Sequence, residues 1–216
     1  MVGTGATPET SQSLTGQPKA VVFDIGRVLV QWSIRALYEK LIADPVQLDR
    51  FLAEVITEQW HFQHDTGVPL AEMISARAAD FPEHRHLIEA YGTRWLETVP
   101  GPVAGTHALV EQLAARGTPL YAITNFGADS WAMFRPTFPI LDHFRIIVVS
   151  AHERLTKPDP AIYTLAAARF GYAPGAMLFI DDSAVNIASA ADCGWQTHHF
   201  IDAAGLAGDL QARGLI

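Results

Sequence analysis

Apolar residues recur along this chain at two spacings, and the alternation between them marks out its elements. Short runs of strand character appear at Ala20 to Phe23, Leu120 to Ile123, Ile146 to Val149, Met177 to Ile180 and, more weakly, Thr197 to Phe200. Between the later runs the spacing changes to three and four residues. Val103 to Arg116 follows it and stops at Gly117, a residue suited to a helix C-terminus. Ala161 to Phe170 follows it too, with Asp159 placed to cap its start, Pro160 at its first position and Gly171 beyond its end. Short apolar strands alternating with helices predict an α/β fold, a parallel sheet with helices on both faces.

The interval between the first two strands breaks that rhythm. "RALYEKLI", "LDRFLAEVI", "LAEMISARAADF" and "HRHLIEAYGTRWLETV" all carry apolar residues at helical spacing, with no strand pattern among them. The expectation is a helical insertion over residues 34–98. It divides a core made of residues 19–33 and 99–216, which resumes through "VPGPVAG". Residues 1–18 are rich in Gly, Thr, Ser and Pro. They lack a basic start followed by an apolar stretch, so they read as a flexible tail and not as a signal peptide.

Composition narrows the functional classes. Of the 216 residues, 49% are hydrophobic and 18% charged, ample material for a large core. A net charge of −8 disfavours nucleic acid and anionic membranes as partners. No apolar stretch reaches the length of a membrane-spanning helix. Cys193 stands alone, so no intramolecular disulfide forms, which fits a reducing cytoplasm.

In parallel α/β sheets, functional groups collect beyond the carboxyl ends of the strands. Asp24 follows the first strand here, and Thr124 and Asn125 the second. Lys157 follows the third at a short distance, and Asp181 and Asp182 the fourth, with Ser183 and Asn186 next. Each alone has a plain reading as a turn residue, a cap or a solvated charge. Their order and common placement at strand ends are harder to explain that way.

"VVFDIGRVLV", "YAITN", "KPDPAIY" and "LFIDDSAVN", taken in that order, resemble the four motifs of the haloacid dehalogenase-like hydrolases. The resemblance spans residues 19 to 201 and implies a Rossmann-like core with an inserted all-α cap. It also implies that Asp24 is a nucleophile forming an aspartyl-phosphate. Thr124 and Asn125 would hold phosphoryl oxygens, and Lys157 would neutralise charge. Asp182, with Asp181 beside it and Asp24, would hold Mg²⁺, and Asn186 would orient Asp182 from one helical turn away. The expected substrate is a small phosphorylated metabolite, a sugar phosphate among the candidates, and the expected assembly a monomer or homodimer.

Gly26 departs from the family pattern. Phosphatases of this kind carry a second Asp two residues after the nucleophile, which protonates the leaving group and then activates water. Gly26 keeps a backbone carbonyl for the metal but no acid or base, a loss worth about 10²–10⁴ in rate. Arg27 is a poor substitute, because guanidinium stays protonated. Three readings follow: a phosphatase whose acid/base lies elsewhere or whose substrate leaves easily, such as a sugar 1-phosphate; a metal-independent 2-haloacid dehalogenase; and a non-catalytic binding protein on the same fold. Halide needs no proton to leave. An uncompensated Asp181–Asp182 pair, however, would repel an anionic haloacid, which favours the phosphatase.

In the insertion, "EQWHFQHDTG" gathers Trp60, His61, His64 and Asp65 between two helical patterns. The expectation is that this segment faces the site and contributes to specificity or proton transfer through His61 and His64. Arg35, near Trp32 at the start of the insertion, is a candidate contact for an anionic substrate group, with a surface ion pair as the alternative.

Overall fold

The computed structural model describes residues 16–216, so the expected N-terminal tail lies outside the described residues except for its last three. Two of these are tied down: the Gln17 side chain donates to the Gly214 carbonyl at 3.0 Å, and Gln196 donates to the Gly16 carbonyl at 2.8 Å.

Five strands form one parallel sheet: β1 (Ala20–Phe23), β2 (Leu120–Thr124), β3 (Ile146–Val149), β4 (Met177–Asp181) and β5 (Gln196–His199), in the order β3-β2-β1-β4-β5. β2 and β4 run one residue further than their apolar runs, taking in Thr124 and Asp181. β5 begins one residue earlier than expected. Both faces are buried, so successive side chains enter two different cores. Val21, Phe23, Leu178 and Ile180 point to one, and Ala20, Val22, Met177 and Phe179 to the other.

The helices are α1 (Ile34–Tyr38), α2 (Pro45–Glu54), α3 (Glu58–Asp65), α4 (Leu70–Asp80), α5 (Arg85–Thr93), α6 (Thr106–Ala115), α7 (Ala128–Phe134), α8 (Ser150–Glu153), α9 (Pro160–Phe170), α10 (Ala184–Asp192) and α11 (Ala203–Ala212). α6 and α11 cover the first face of the sheet through Leu109, Leu113, Leu206 and Leu210. α9 and α10 cover the second through Ile162, Tyr163, Phe170 and Ala190. Asp159 caps α9 as expected, accepting from Ala161 N–H at 2.8 Å, and Gly171 ends it in the left-handed conformation.

α1 to α5 make up the insertion between β1 and α6, with a 3₁₀ turn joining α4 to α5 and another following α5. Their apolar faces, with Tyr38, Phe51, Ile88 and Tyr91, join the first core. α3 corrects the sequence reading, in which its residues bridge two helices. Its polar sequence hides it from a hydrophobic pattern, but Thr57 caps it, accepting from Trp60 N–H at 2.9 Å. The outgoing and returning strands of the insertion lie side by side. Val30 and Pro102 form an antiparallel bridge. Gln31 N–H donates to Gly101 O at 2.8 Å, Val103 N–H to Leu29 O at 3.0 Å and Ser33 N–H to Thr98 O at 2.8 Å.

Candidate active site

β1 lies where the strand order reverses, with β2 on one side and β4 on the other, the place where such sheets open a crevice. Asp24 follows β1 directly and lines a cavity of about 150 Å³. Lys157, 2% exposed, bridges two carboxylates: its Nζ lies 2.8 Å from Asp24 Oδ1 and 2.6 Å from Asp181 Oδ2. Burial alone would lower the Lys157 ammonium, but the two carboxylates outweigh it and hold it above its ordinary value. Burial raises Asp24 to about 7, with Asp181 and Asp182 adding to the rise and Lys157 opposing it.

Asp181 is held by three donors. Its Oδ1 accepts from Ser183 N–H at 2.8 Å and from Asn186 at 3.0 Å, and its Oδ2 accepts from Lys157 and from Asn186 at 3.1 Å. The expected partner of Asn186 was Asp182. Its amide reaches Asp181 instead, because Ser183 caps α10 and turns Asn186 back over the strand end. Asp182, half-buried, lines the cavity, and burial together with Asp181 raises its carboxyl.

Thr124, buried, ends β2, and Asn125 lines the cavity beside it. The Asn125 side chain has a further task that sequence reasoning missed. It donates to Lys157 O at 2.9 Å and accepts from Lys157 N–H at 2.8 Å, pairing both backbone groups of the lysine 32 positions away. No local pattern signals such a contact.

The insertion supplies the remaining wall. His61 and Asp65, on successive turns of α3, both line the cavity. His61 stacks on Trp32 with ring centroids 4.8 Å apart, and its Nδ1 lies 2.7 Å from the Tyr91 hydroxyl. Burial, with His64 and Arg27 nearby, lowers the imidazole to about 3, so it is neutral at physiological pH. His64 does not face the cavity. It is 1% exposed, with Nδ1 2.8 Å from Val68 O and Nε2 3.0 Å from Ser130 Oγ, and it fastens α3 to the core. Trp60 packs edge-on against Tyr91. Arg35 takes the surface alternative and pairs with Asp49.

Arg27, and not Arg35, is the arginine at the cavity. It lines the cavity, pairs with Glu58 and sits 5.0 Å over the Trp32 ring. It adopts φ 58°, uncommon for a side-chain-bearing residue, at the turn that carries the chain away from Asp24. Gly26 lines the cavity too, and a Cβ there would meet nothing within 4 Å.

Residues 18–194 match the family of haloacid dehalogenase-like hydrolases. The chain belongs to that family. Among curated relatives, a sesquiterpene phosphatase of Aspergillus oryzae is 24% identical over 209 residues, covering 92% of this chain and 96% of that protein. A phosphoglycolate phosphatase of Yersinia pseudotuberculosis is 32% identical over 111 residues, covering 50% of this hydrolase. The chain spans about half of that relative's length, 48%. A solved haloacid dehalogenase family enzyme of Bacteroides thetaiotaomicron, in complex with magnesium and inorganic phosphate, superposes with a TM-score of 0.66 at 20% identity. The match covers 86% of this chain and 95% of that one. The L-2-haloacid dehalogenase of Xanthobacter autotrophicus with covalently bound chloropropionic acid gives 0.62 at 17% identity, over 92% and 84% of the two chains. At these identities both structures speak for the fold.

The donor set of this hydrolase fits a small divalent cation. Asp24, Asp181 and Asp182 each offer one oxygen, all within 4.8 Å of one another. Three carboxylates so close, with one lysine among them, resist ionising together, and a cation relieves that repulsion. Hard oxygen donors are what Mg²⁺ prefers. Among the described residues, no helix is long and apolar enough to cross a membrane.

Proposed function

We propose that this hydrolase is a magnesium-dependent phosphatase of a small phosphorylated metabolite, working through an aspartyl-phosphate on Asp24. The observation that carries the reading is the buried bridge from Asp24 through Lys157 to Asp181, at a cavity that Asp182 also lines. A carboxylate attacking a phosphoryl dianion brings like charges together, so the site must hold fixed positive charge. Lys157 supplies it and stays protonated. Asp181, itself held by Asn186, grips the ammonium of that lysine and Asn125 grips its backbone, so little reorganisation accompanies the attack. Thr124 and the Asn125 backbone N–H, at the end of β2, would donate to phosphoryl oxygens.

Mg²⁺ would be held by Asp24, Asp182, Asp181 and the Gly26 carbonyl, and when bound it neutralises charge on the phosphoryl group. Residues 34–98 act as a cap that closes the cavity over the substrate. Trp32 and Trp95 give the cavity apolar walls, suited to the face of a sugar ring or a similar small organic group. The phosphatase relatives support the reaction class. Halide displacement by Asp24 is the alternative. The dehalogenase likeness bears only on fold, and two further carboxylates beside Asp24 would repel a haloacid.

The test is a panel of phosphate esters and 2-haloacids, each assayed with Mg²⁺ and with chelator, on the wild type and Asp24→Asn. Phosphate release that needs Mg²⁺ and vanishes in Asp24→Asn is expected. Chelator-insensitive chloride release from 2-chloropropionate, with no phosphate release from any ester, overturns the reading.

A further inference from the structure

The phosphatase reading leaves one role empty, since Gly26 stands where an acid/base is needed. Gly26 itself cannot move a proton, and Arg27 is a permanent cation paired with Glu58. His61 lines the cavity, but its Nδ1 is taken up by Tyr91 and its ring is neutral far below physiological pH. One titratable group of the insertion facing the cavity is left.

Asp65 is 7% exposed, lines the same cavity as Asp24, and enters it from α3, not from the sheet. Its Oδ1 is buried without a hydrogen-bond partner, although the neutral His61 Nε2 lies 3.5 Å away. A purely structural buried carboxyl would be expected to have both oxygens satisfied. Its backbone is held from two sides: Ser150 Oγ donates to Asp65 O at 2.6 Å, and the preceding His64 is bonded to Val68 and Ser130. The groups facing it are His61 on its own helix, and Asp24, Lys157 and the Gly127 backbone from the core.

Resting on the phosphatase reading, we propose that Asp65 is the general acid and base of the reaction, supplied by the insertion in place of the side chain missing at Gly26. In the first step an oxygen of Asp24 bonds to phosphorus while the ester P–O bond breaks. The proton of the Asp65 carboxyl passes to the departing oxygen, giving the alcohol, the aspartyl-phosphate and an Asp65 carboxylate. In the second, that carboxylate takes a proton from water as the water oxygen bonds to phosphorus and the bond to Asp24 breaks. Inorganic phosphate leaves, with Asp24 again a carboxylate and Asp65 again an acid. Burial, and then the charge of Asp24, raise Asp65 to about 7, where both forms are accessible at physiological pH.

Asp65→Asn keeps the shape and removes the proton, and Asp65→Ala guards against a folding failure of the first. Both are compared with the wild type on 4-nitrophenyl phosphate, whose leaving group needs no proton, and on alkyl phosphates, whose leaving groups do. The variants should lose about 10²–10⁴-fold in kcat/KM on alkyl esters and less than about tenfold on the nitrophenyl ester. On the nitrophenyl ester, rapid mixing should show a burst of nitrophenolate equal to the enzyme, with acid-stable phosphoenzyme accumulating as the second step slows. Equal losses on both ester types without a burst, or no loss, overturn the proposal. A wild type that releases phosphate from no ester overturns the phosphatase reading instead. A wild type that does so, with variants indifferent to the leaving group, overturns only the role of Asp65.

Discussion

Gly127→Ala tests how the insertion is fastened over the site. A Cβ built at Gly127 lies 1.9 Å from His64 Cδ2 and 2.1 Å from its Nε2, against more than 3 Å for any real contact. The Gly127 backbone is extended, φ −70° and ψ 145°, so alanine fits its conformation and the penalty is steric alone. The ring cannot yield freely, because both nitrogens are bonded, at 2.8 Å to Val68 and 3.0 Å to Ser130. Losing these bonds with their partners buried costs about 1–3 kcal/mol, and overpacking a similar about 1–3 kcal/mol, so the variant should be about 2–6 kcal/mol less stable. Urea unfolding gives the number, and a double-mutant cycle with His64→Ala assigns its cause. With the ring removed, Gly127→Ala should cost less than about 1 kcal/mol. A penalty that is the same in both backgrounds refutes the contact as the source.

Three further outcomes follow from the same geometry. Lys157→Met leaves Asp24 and Asp181 buried without their cation. It should destabilise the protein by about 3–5 kcal/mol in urea at neutral pH and remove turnover; unchanged stability would sink the bridge as an energetic feature. Gly26→Asp meets no atom within 4 Å of its Cβ. It should therefore fold with wild-type stability and, in the Asp65→Asn background, restore alkyl phosphate turnover by about tenfold or more; no recovery would show that position 26 cannot deliver a proton here. His61, lowered to about 3, stays neutral in the folded protein while the unfolded chain takes up its proton below about pH 6.5. That contribution to stability is present above pH 6.5 and lost as pH falls, by at most about 1.4 kcal/mol per unit. Asp24 and Asp65, raised to about 7, act in the opposite sense, so the informative quantity is the difference between His61→Gln and the wild type. The variant should gain on the wild type as pH falls from 6.5 to 4.5 in chemical unfolding; a constant difference would count against a buried neutral imidazole.

The central strands β1, β2 and β4 were legible because they are buried on both faces and therefore written as apolar runs, whereas β5, Gln196–His199, left only a weak trace. The order of the candidate residues was legible because they follow those runs. What escaped is long-range or polar. α3 has too little apolar content for a helical stripe, so only its Thr57 cap betrayed it. The Asn125–Lys157 pairing joins residues from separate loops, and Asn186 found Asp181 rather than its own helical neighbour. His64 and Arg35 failed as site candidates for opposite reasons: one is buried against the core, the other paired at the surface. Asp65 was named beside its histidine neighbours but given no role until the cavity set it facing Asp24.

The antiparallel pairing of Val30 with Pro102 bears on how such a protein can change. Because the two ends of the insertion are already pinned together, the intervening segment is a closed loop grafted onto a finished core. Closure entropy grows only logarithmically, so doubling the length of that loop costs about 0.6 kcal/mol. The wall that the insertion gives the cavity can thus be lengthened or exchanged almost independently of the strands that hold Asp24. A lineage built this way can keep the residues at the strand ends and reshape the cavity above them.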